Sequence, residues 1–166
     1  MSPDKPCPNR VAPAGPRSGH AALRRGRVTL RNGVYLVTAA THQRIALFHD
    51  FCAARTASRS FEDPRVLGDA SMLAWVLMPD HAHWLIQLGA TTPLGICIGR
   101  IKSASSREVN RACRRKGCVW APAFHDHALR ADEDVEMAAR YVVANPLRAG
   151  LVERIGDYPY WNAAWI

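Results

Sequence analysis

The segment that most constrains the fold is the alternating run from His81 to Leu88. Successive side chains of a β-strand point to opposite faces, so His81, His83, Leu85 and Gln87 share one face. The apolar residues between them form the core face. The segment follows a second apolar run, 70–77, and the turn signal Pro79-Asp80. The sequence therefore predicts two antiparallel strands, with both histidines just past the turn.

The two histidines allow two interpretations. A pair of neutral imidazoles on one strand face can bind a single divalent cation, because imidazole is a common metal ligand. The same spacing also arises where two histidines simply occupy the polar face of a strand. The pattern His-x-His alone does not separate these interpretations.

The remaining patterns indicate an α+β fold with an antiparallel sheet and packed helices. At 166 residues and 48% hydrophobic content, the chain is long enough for one domain with its own core. We assign this domain to residues 28–166. Its predicted elements are a strand at 33–39, a helix capped by Asp50 with Phe51 facing inward, the strand pair around the histidines, a helix starting at Thr92-Pro93, a strand at 124–129, and a helix capped by Asp132.

Residues 1–27 differ in composition from the rest of the chain. They are rich in proline, glycine and arginine and lack periodic apolar residues. Such a segment cannot bury enough surface to offset the entropy of ordering it, so we expect a disordered basic arm.

The formal net charge of +8 indicates a polyanionic partner, and nucleic acid is the leading candidate. An anionic membrane surface would attract the same charge. No segment approaches the roughly 18 apolar residues of a membrane span, and the N-terminus shows no apolar signal region. We therefore expect a cytoplasmic protein.

Basic residues recur along one face of the helix that starts near Thr92, with Glu108 as the only acid among them. A charge run is usually a solvated helix face. Here the charges have one sign and would repel one another, so a surface that faces phosphates is at least as plausible. The candidate DNA-binding residues are Arg100, Lys102, Arg107, Arg111, Arg114 and Arg115.

Tyr141 and Asn145 lie four residues apart, on one face of the last predicted helix. Pro146 places both side chains near a helix end or kink. Taken alone, they are best read as a half-buried tyrosine and a C-terminal cap. Two further positions allow two roles each. Trp120 could fill the core or stack on a base, and we favour the core; His125 with His127 could line a site or face solvent, and we favour solvent.

Several motifs together resemble one family. In order, they are the strand at 33–38, Met78-Pro79-Asp80-His81-Ala82-His83, the segment from Trp120 to Asp126, and Tyr141-Val142-Val143-Ala144-Asn145-Pro146-Leu147-Arg148-Ala149-Gly150-Leu151-Val152. They are similar to the single-tyrosine HUH transposases of small insertion sequences, and most similar to the REP-associated tyrosine transposases. Ala82 and Leu147 depart slightly from the family pattern.

The resemblance implies a ferredoxin-like fold and a DNA-cleaving activity. By analogy, His81, His83 and Asn145 would bind Mg²⁺ or Mn²⁺, and Tyr141 would form a covalent link to a 5′ phosphate. The implied partner is single-stranded, hairpin-forming DNA, bound by a monomer or a homodimer. Two alternatives are a hairpin-binding protein without catalysis and a metallohydrolase in which Tyr141 is structural.

Overall fold

The computed structural model describes residues 30–165, so the basic arm predicted at 1–27 lies outside the described residues. The described residues form a five-stranded sheet, whose strands are β1 (Val34–Ala40), β2 (Ser71–Met78), β3 (His81–Gln87), β4 (His125–Ala128) and β5 (Trp161–Ala163). The sheet is antiparallel throughout and has the strand order β4-β1-β3-β2-β5. The first four strands and the helices between them have the ferredoxin-like order, as predicted.

Helices cover both faces of the sheet. The helices are α1 (Phe51–Arg59), α2 (Pro64–Leu67), α3 (Leu94–Ala112), α4 (Val135–Val143) and α5 (Asn145–Arg148). The helix α3 packs against α1 on one face, and α4 contacts β2 and β3 on the other. No helix among residues 30–165 is long and apolar enough to cross a membrane.

The larger core lies between the sheet and the helices α1 and α3. Trp84 and Phe61 are fully buried there, and their rings pack edge to face with the ring centroids 5.2 Å apart. Trp120 is 5% exposed and donates its indole N–H to Ser105 Oγ at 2.9 Å. Trp120 is therefore a core residue, the role that the sequence favoured over base stacking.

A smaller core lies on the opposite face, under α4. Val142 and Val143 of this helix pack with Leu85 of β3 and with β2. Leu85 is on the same strand face as His81 and His83, because residues two apart in a strand point the same way. The short apolar stripe of α4 thus holds the tyrosine helix against the face that carries the histidines.

Of the three helix starts that the sequence predicts, one is confirmed and two lie further along the chain than predicted. Asp50 caps α1 as expected, accepting from Ala53 N at 2.8 Å. The helix α3 begins one residue later than predicted, with Pro93 as its cap. Asp69 explains this shift, because its carboxylate takes hydrogen bonds from the side chains of Thr91 and Thr92.

The prediction that Asp132 caps the next helix is wrong. Asp134 is the cap of α4, and its carboxylate accepts from two backbone amides of the first turn. The reason is a turn just before the helix, in which Glu133 accepts from Arg130 N and bonds to His127. That turn delays the helix by two residues.

Two further predictions, about the start of α1 and the end of α3, are wrong. Phe51 is 63% exposed rather than inward, because α1 buries its alanines at 53, 54 and 57 instead. The helix α3 ends at Ala112, and Arg114 has a φ of 49°. Arg114 and Arg115 therefore lie in the turn after α3 and not on its face.

Candidate active site

The turn between β2 and β3 fixes the first histidine. Asp80 directly precedes β3, and its Oδ1 lies 2.6 Å from Nδ1 of His81. Because a carboxylate only accepts, His81 donates its Nδ1 proton to Asp80. Arg44 lies on the other side of Asp80, with its guanidinium 3.4 Å from Oδ2. The backbone oxygen of Asp80 accepts from Thr41, which anchors the turn to the end of β1.

The second histidine is fixed from the neighbouring strand. Register pairs Thr38 of β1 with His83 of β3, so the two side chains point to the same face. Thr38 Oγ1 lies 2.8 Å from His83 Nδ1. Each histidine therefore has its Nδ1 hydrogen-bonded to a neighbour, and where Nδ1 carries the proton, Nε2 keeps a free lone pair.

The two Nε2 atoms converge. They lie 3.2 Å apart, and the ring planes are perpendicular. Two nitrogens bound to one cation at about 2.1 Å lie roughly 3.0 Å apart at an octahedral angle and roughly 3.4 Å apart at a tetrahedral one. A histidine ligand usually holds its second nitrogen in such a hydrogen bond. The pair of imidazoles thus fits a divalent cation.

The electrostatics of the site keep His83 unprotonated. Burial lowers the pKa of His83 to about 4, and the positive charges of His81, Arg148 and Arg44 act in the same direction. His83 is therefore neutral at pH 7. The pKa of Asp80 lies below its ordinary value: burial opposes this shift, but the hydrogen bond with His81 and the nearby charges outweigh it.

Tyr141 lies on α4, and its exposed fraction is 47%, so the residue is accessible from solvent. Asn145, the first residue of α5, donates its side-chain N–H to the backbone oxygens of Tyr141 and Val142, at 3.0 and 2.9 Å. This is the cap that the sequence suggested. It also fixes the amide, so that Oδ1 is the atom of Asn145 that can bind a cation.

Arg148 connects the tyrosine with the histidines. Its guanidinium carbon lies 4.3 Å from the centroid of the Tyr141 ring. Its charge also lowers the pKa of His83, so the guanidinium lies within electrostatic range of the histidine pair. The arrangement brings a tyrosine side chain, a guanidinium and two imidazoles to one face of the sheet.

Four of these neighbours were not predicted as site residues. Asp80 could have been found, because a carboxylate next to a histidine is a common partner of a metal ligand. Arg148 lies within the tyrosine motif but carries no signal of its own. Thr38 and Arg44 are distant in sequence from His83 and Asp80, and they become neighbours of these residues only in the folded chain.

The basic residues around α3 have different environments. Lys102 bonds to the backbone oxygens of Ala121, Pro122 and Ala123 and so holds that loop. Arg111 pairs with Glu108 on the exposed surface. Arg107 lines a cleft of about 600 Å³ between α3 and the segment 117–124.

Two other candidate residues contact neighbouring side chains. Arg115, in the turn after α3, donates to the side-chain oxygen of Asn110 at 3.0 Å. Arg100 is exposed, and its guanidinium lies beside Gly68. One guanidinium nitrogen is 3.0 Å from the position that a Cβ atom would occupy if Gly68 were replaced by a larger residue.

The cleft and the histidine pair lie at the same end of the sheet, although α3 and α4 cover opposite faces. His42 lines the cleft, and its backbone N–H donates to Val119 O at 2.8 Å. The preceding residue, Thr41, bonds to the backbone of Asp80. A chain that leaves the cleft near His42 can therefore reach His81 around this end of the sheet.

The other two histidines that the sequence raised as candidates, His125 and His127, lie on the edge strand β4 and are exposed. His127 bonds to Glu133 at 3.0 Å. His125 pairs with Thr38 across the ladder, so it is on the face of the sheet that carries His83.

Known proteins match this chain along most of its domain. The family model described as IS200-like transposase matches residues 32–145. A protein of Escherichia coli strain K12 named a REP-associated tyrosine transposase is 30% identical over 93 residues, which is 52% of this chain and 50% of that protein. A Haemophilus influenzae protein of the same name is 31% identical over 98 residues, which is 53% of this chain and 56% of that protein. The chain thus spans about half the length of these relatives.

Two solved structures share the fold. The first is a REP-associated tyrosine transposase bound to a REP hairpin, with a TM-score of 0.62 and 24% identity over 81% of this chain and 79% of that one. The second is a Deinococcus radiodurans chain described as a transposase, with a TM-score of 0.51 and 21% identity over 72% of this chain and 95% of that one. At these identities the likeness shows the fold, and the ferredoxin-like prediction is confirmed.

Proposed function

The chain belongs to the IS200-like transposase family, and we propose that it binds single-stranded DNA hairpins and cleaves them through a covalent bond to Tyr141. The observation that carries this proposal is the convergence of the two Nε2 atoms of His81 and His83, 3.2 Å apart, on the face covered by the tyrosine helix. A hairpin-binding protein without catalysis has no need of this arrangement.

In the proposed reaction, Tyr141 Oη attacks the scissile phosphorus in line with the leaving 3′ oxygen. The new bond joins the tyrosine to the 5′ phosphate as the bond to the 3′ oxygen breaks. The phenol proton is lost to the surroundings, and the leaving oxygen takes up a proton to become a free 3′ hydroxyl. That hydroxyl can later attack the phosphotyrosine, so strand transfer needs no nucleotide hydrolysis.

The ligands of the proposed metal site are His81, His83 and the Oδ1 atom of Asn145, and the expected ion is Mg²⁺ or Mn²⁺. A divalent cation bound there would polarise the phosphate and neutralise the charge that builds on its oxygens. Arg148, stacked on the Tyr141 ring at 4.3 Å, is placed to pair with the same phosphate.

The proposed DNA path combines the cleft and the basic residues around α3. Arg107 in the cleft and Arg44 beside Asp80 mark its two ends. Lys102 supports the path indirectly, because its ammonium group is bonded to the loop that forms one wall. Arg100, Arg111, Arg114 and Arg115 remain proposed phosphate contacts on the surface around this helix.

A cleavage assay with matched binding measurements tests the proposal. Tyr141→Phe should abolish cleavage of a single-stranded hairpin while keeping its affinity within a few-fold. Tyr160→Phe, a tyrosine in the same chain but outside the site, is the control and should cleave normally. His81→Ala and His83→Ala should each lose most of the metal-dependent rate.

Hairpin binding without cleavage by the wild-type protein, in the presence of Mg²⁺ or Mn²⁺, would favour the non-catalytic alternative. Cleavage that survives in Tyr141→Phe would make Tyr141 a structural residue and favour a metallohydrolase.

A further inference from the structure

A second cluster of metal-binding side chains lies away from the histidine pair, where the start of α1 meets the end of α3. Cys52 is the second residue of α1, and Cys113 directly follows α3. Their sulfur atoms are 3.1 Å apart. Asp50, the cap of α1, adds a carboxylate oxygen, and the three donor atoms all lie within 4.8 Å of one another.

We propose that Asp50, Cys52 and Cys113 form a binding site for zinc or a cation of similar softness. Two sulfur ligands select such cations over Mg²⁺ and Ca²⁺, which prefer oxygen. Asp50 and Cys52 are exposed and Cys113 is half-buried, so an ion can enter from solvent. Three protein ligands leave the fourth tetrahedral position to water.

The geometry needs only a small adjustment. Zinc–sulfur bonds of about 2.3 Å at a tetrahedral angle place two sulfurs roughly 3.8 Å apart. The observed 3.1 Å would therefore open by roughly 0.7 Å, which side-chain rotation can supply. Asp50 Oδ1 accepts from Ala53 N, and the other carboxylate oxygen can bind the ion while this cap is kept.

The charges also suit a bound cation. Two thiolates and one carboxylate carry three negative charges against two on the ion, so the complex has a net charge of −1. Arg115, two residues after Cys113, interacts electrostatically with the Cys113 thiol. Its guanidinium can balance the excess charge.

A bound ion would join two helices that are far apart in sequence but already packed. Cys52 and Cys113 are 61 residues apart, and α1 contacts α3 along the larger core. An ion that binds only the folded state stabilises it by mass action. It would also fix the turn that carries Arg114 and Arg115.

Cobalt titration of the reduced full-length protein tests the site, because a cobalt–thiolate bond gives a charge-transfer band in the near ultraviolet. The wild type should develop this band with one equivalent of Co²⁺ and lose it on addition of Zn²⁺. Cys52→Ser and Cys113→Ser should each lose most of the band. Cys97→Ser, at a fully buried cysteine elsewhere in α3, is the matched control and should retain it, as should His81→Ala.

Thermal unfolding gives a second measurement that does not depend on DNA cleavage. In the His81→Ala background, which removes a ligand of the proposed histidine site, Zn²⁺ should raise the Tm of the parent and of Cys97→Ser, but not that of Cys52→Ser, whose replaced side chain is exposed. Asp50→Asn should weaken Co²⁺ binding at least ten-fold. The proposal is overturned if the reduced wild type gives no thiolate band, if the band persists in both serine variants, or if the two cysteines form only a disulfide and bind no cobalt after reduction.

Discussion

Removal of the Thr38 hydroxyl tests how the histidine pair is held. Thr38→Val keeps the shape of the side chain but deletes the oxygen that lies 2.8 Å from His83 Nδ1. The imidazole would then lose the contact that fixes its tautomer and ring orientation. Because His83 is largely buried, water cannot fully replace the hydroxyl, and the ring should turn more freely about χ2.

The expected cost follows from this one bond. Loss of the hydrogen-bond partner of a ligating histidine typically lowers metal affinity about 10–100-fold, equivalent to roughly 1.4–2.7 kcal/mol. The same deletion should lower the free energy of unfolding by about 1 kcal/mol without metal. Metal affinity should therefore fall more than stability does.

Calorimetric titration with Mn²⁺ measures the affinity, and thermal unfolding of the metal-free protein measures stability. Thr38→Ser, which keeps a hydroxyl, should recover most of the affinity. Thr91→Val is a matched control, because the Thr91 hydroxyl also forms a hydrogen bond with a side chain, that of Asp69 at 2.6 Å, but lies outside the site. If Thr38→Val binds Mn²⁺ as tightly as the wild type does, the hydrogen bond does not orient a ligand.

Three further predictions concern packing, DNA binding and pH. A Cβ at Gly89 would lie 2.3 Å from a backbone oxygen, so Gly89→Ala should lower the free energy of unfolding, measured with denaturant, by roughly 1–3 kcal/mol. Gly99 lies on an open helix surface, so Gly99→Ala should raise the same free energy by about 0.5–1 kcal/mol. Replacing Arg107 and Arg111 with alanine should flatten the log–log salt dependence of hairpin binding by up to about 1.4, at roughly 0.7 per phosphate contact, and an unchanged slope would mean that this face meets only solvent. Burial raises the pKa of Tyr158 to about 12, so the unfolded chain loses the phenol proton at a lower pH than the folded protein does. The free energy of unfolding should therefore fall as pH rises from about 10 towards 12. In Tyr158→Phe this fall should be smaller.

Short-range patterns in the sequence were enough to predict the centre of the fold. The alternation from His81 to Leu88 and the Pro79-Asp80 turn predict the β2–β3 hairpin and place both histidines on one face. The structure has this hairpin and assigns the faces as predicted. Such patterns succeed because strand alternation depends only on neighbouring residues.

Contacts between distant residues decide the features that the sequence did not predict. Thr38 reaches His83 only through the β1–β3 register, 45 residues apart. The start of α3 shifts because Asp69 takes the hydroxyl that would have capped it. The basic run looked like one helical face because its charges are continuous, yet Arg114 and Arg115 lie beyond the helix end.

The identity of the residue that bonds to DNA tests the central claim most directly. The wild-type protein, incubated with a hairpin substrate and Mn²⁺, should form a covalent adduct that survives denaturation. Digestion and mass spectrometry should find the 5′ phosphate of the cleaved strand on the peptide that contains Tyr141, and Tyr141→Phe should form no adduct. Cleavage that releases a free 5′ phosphate without any adduct, or an adduct on another residue, would contradict the account.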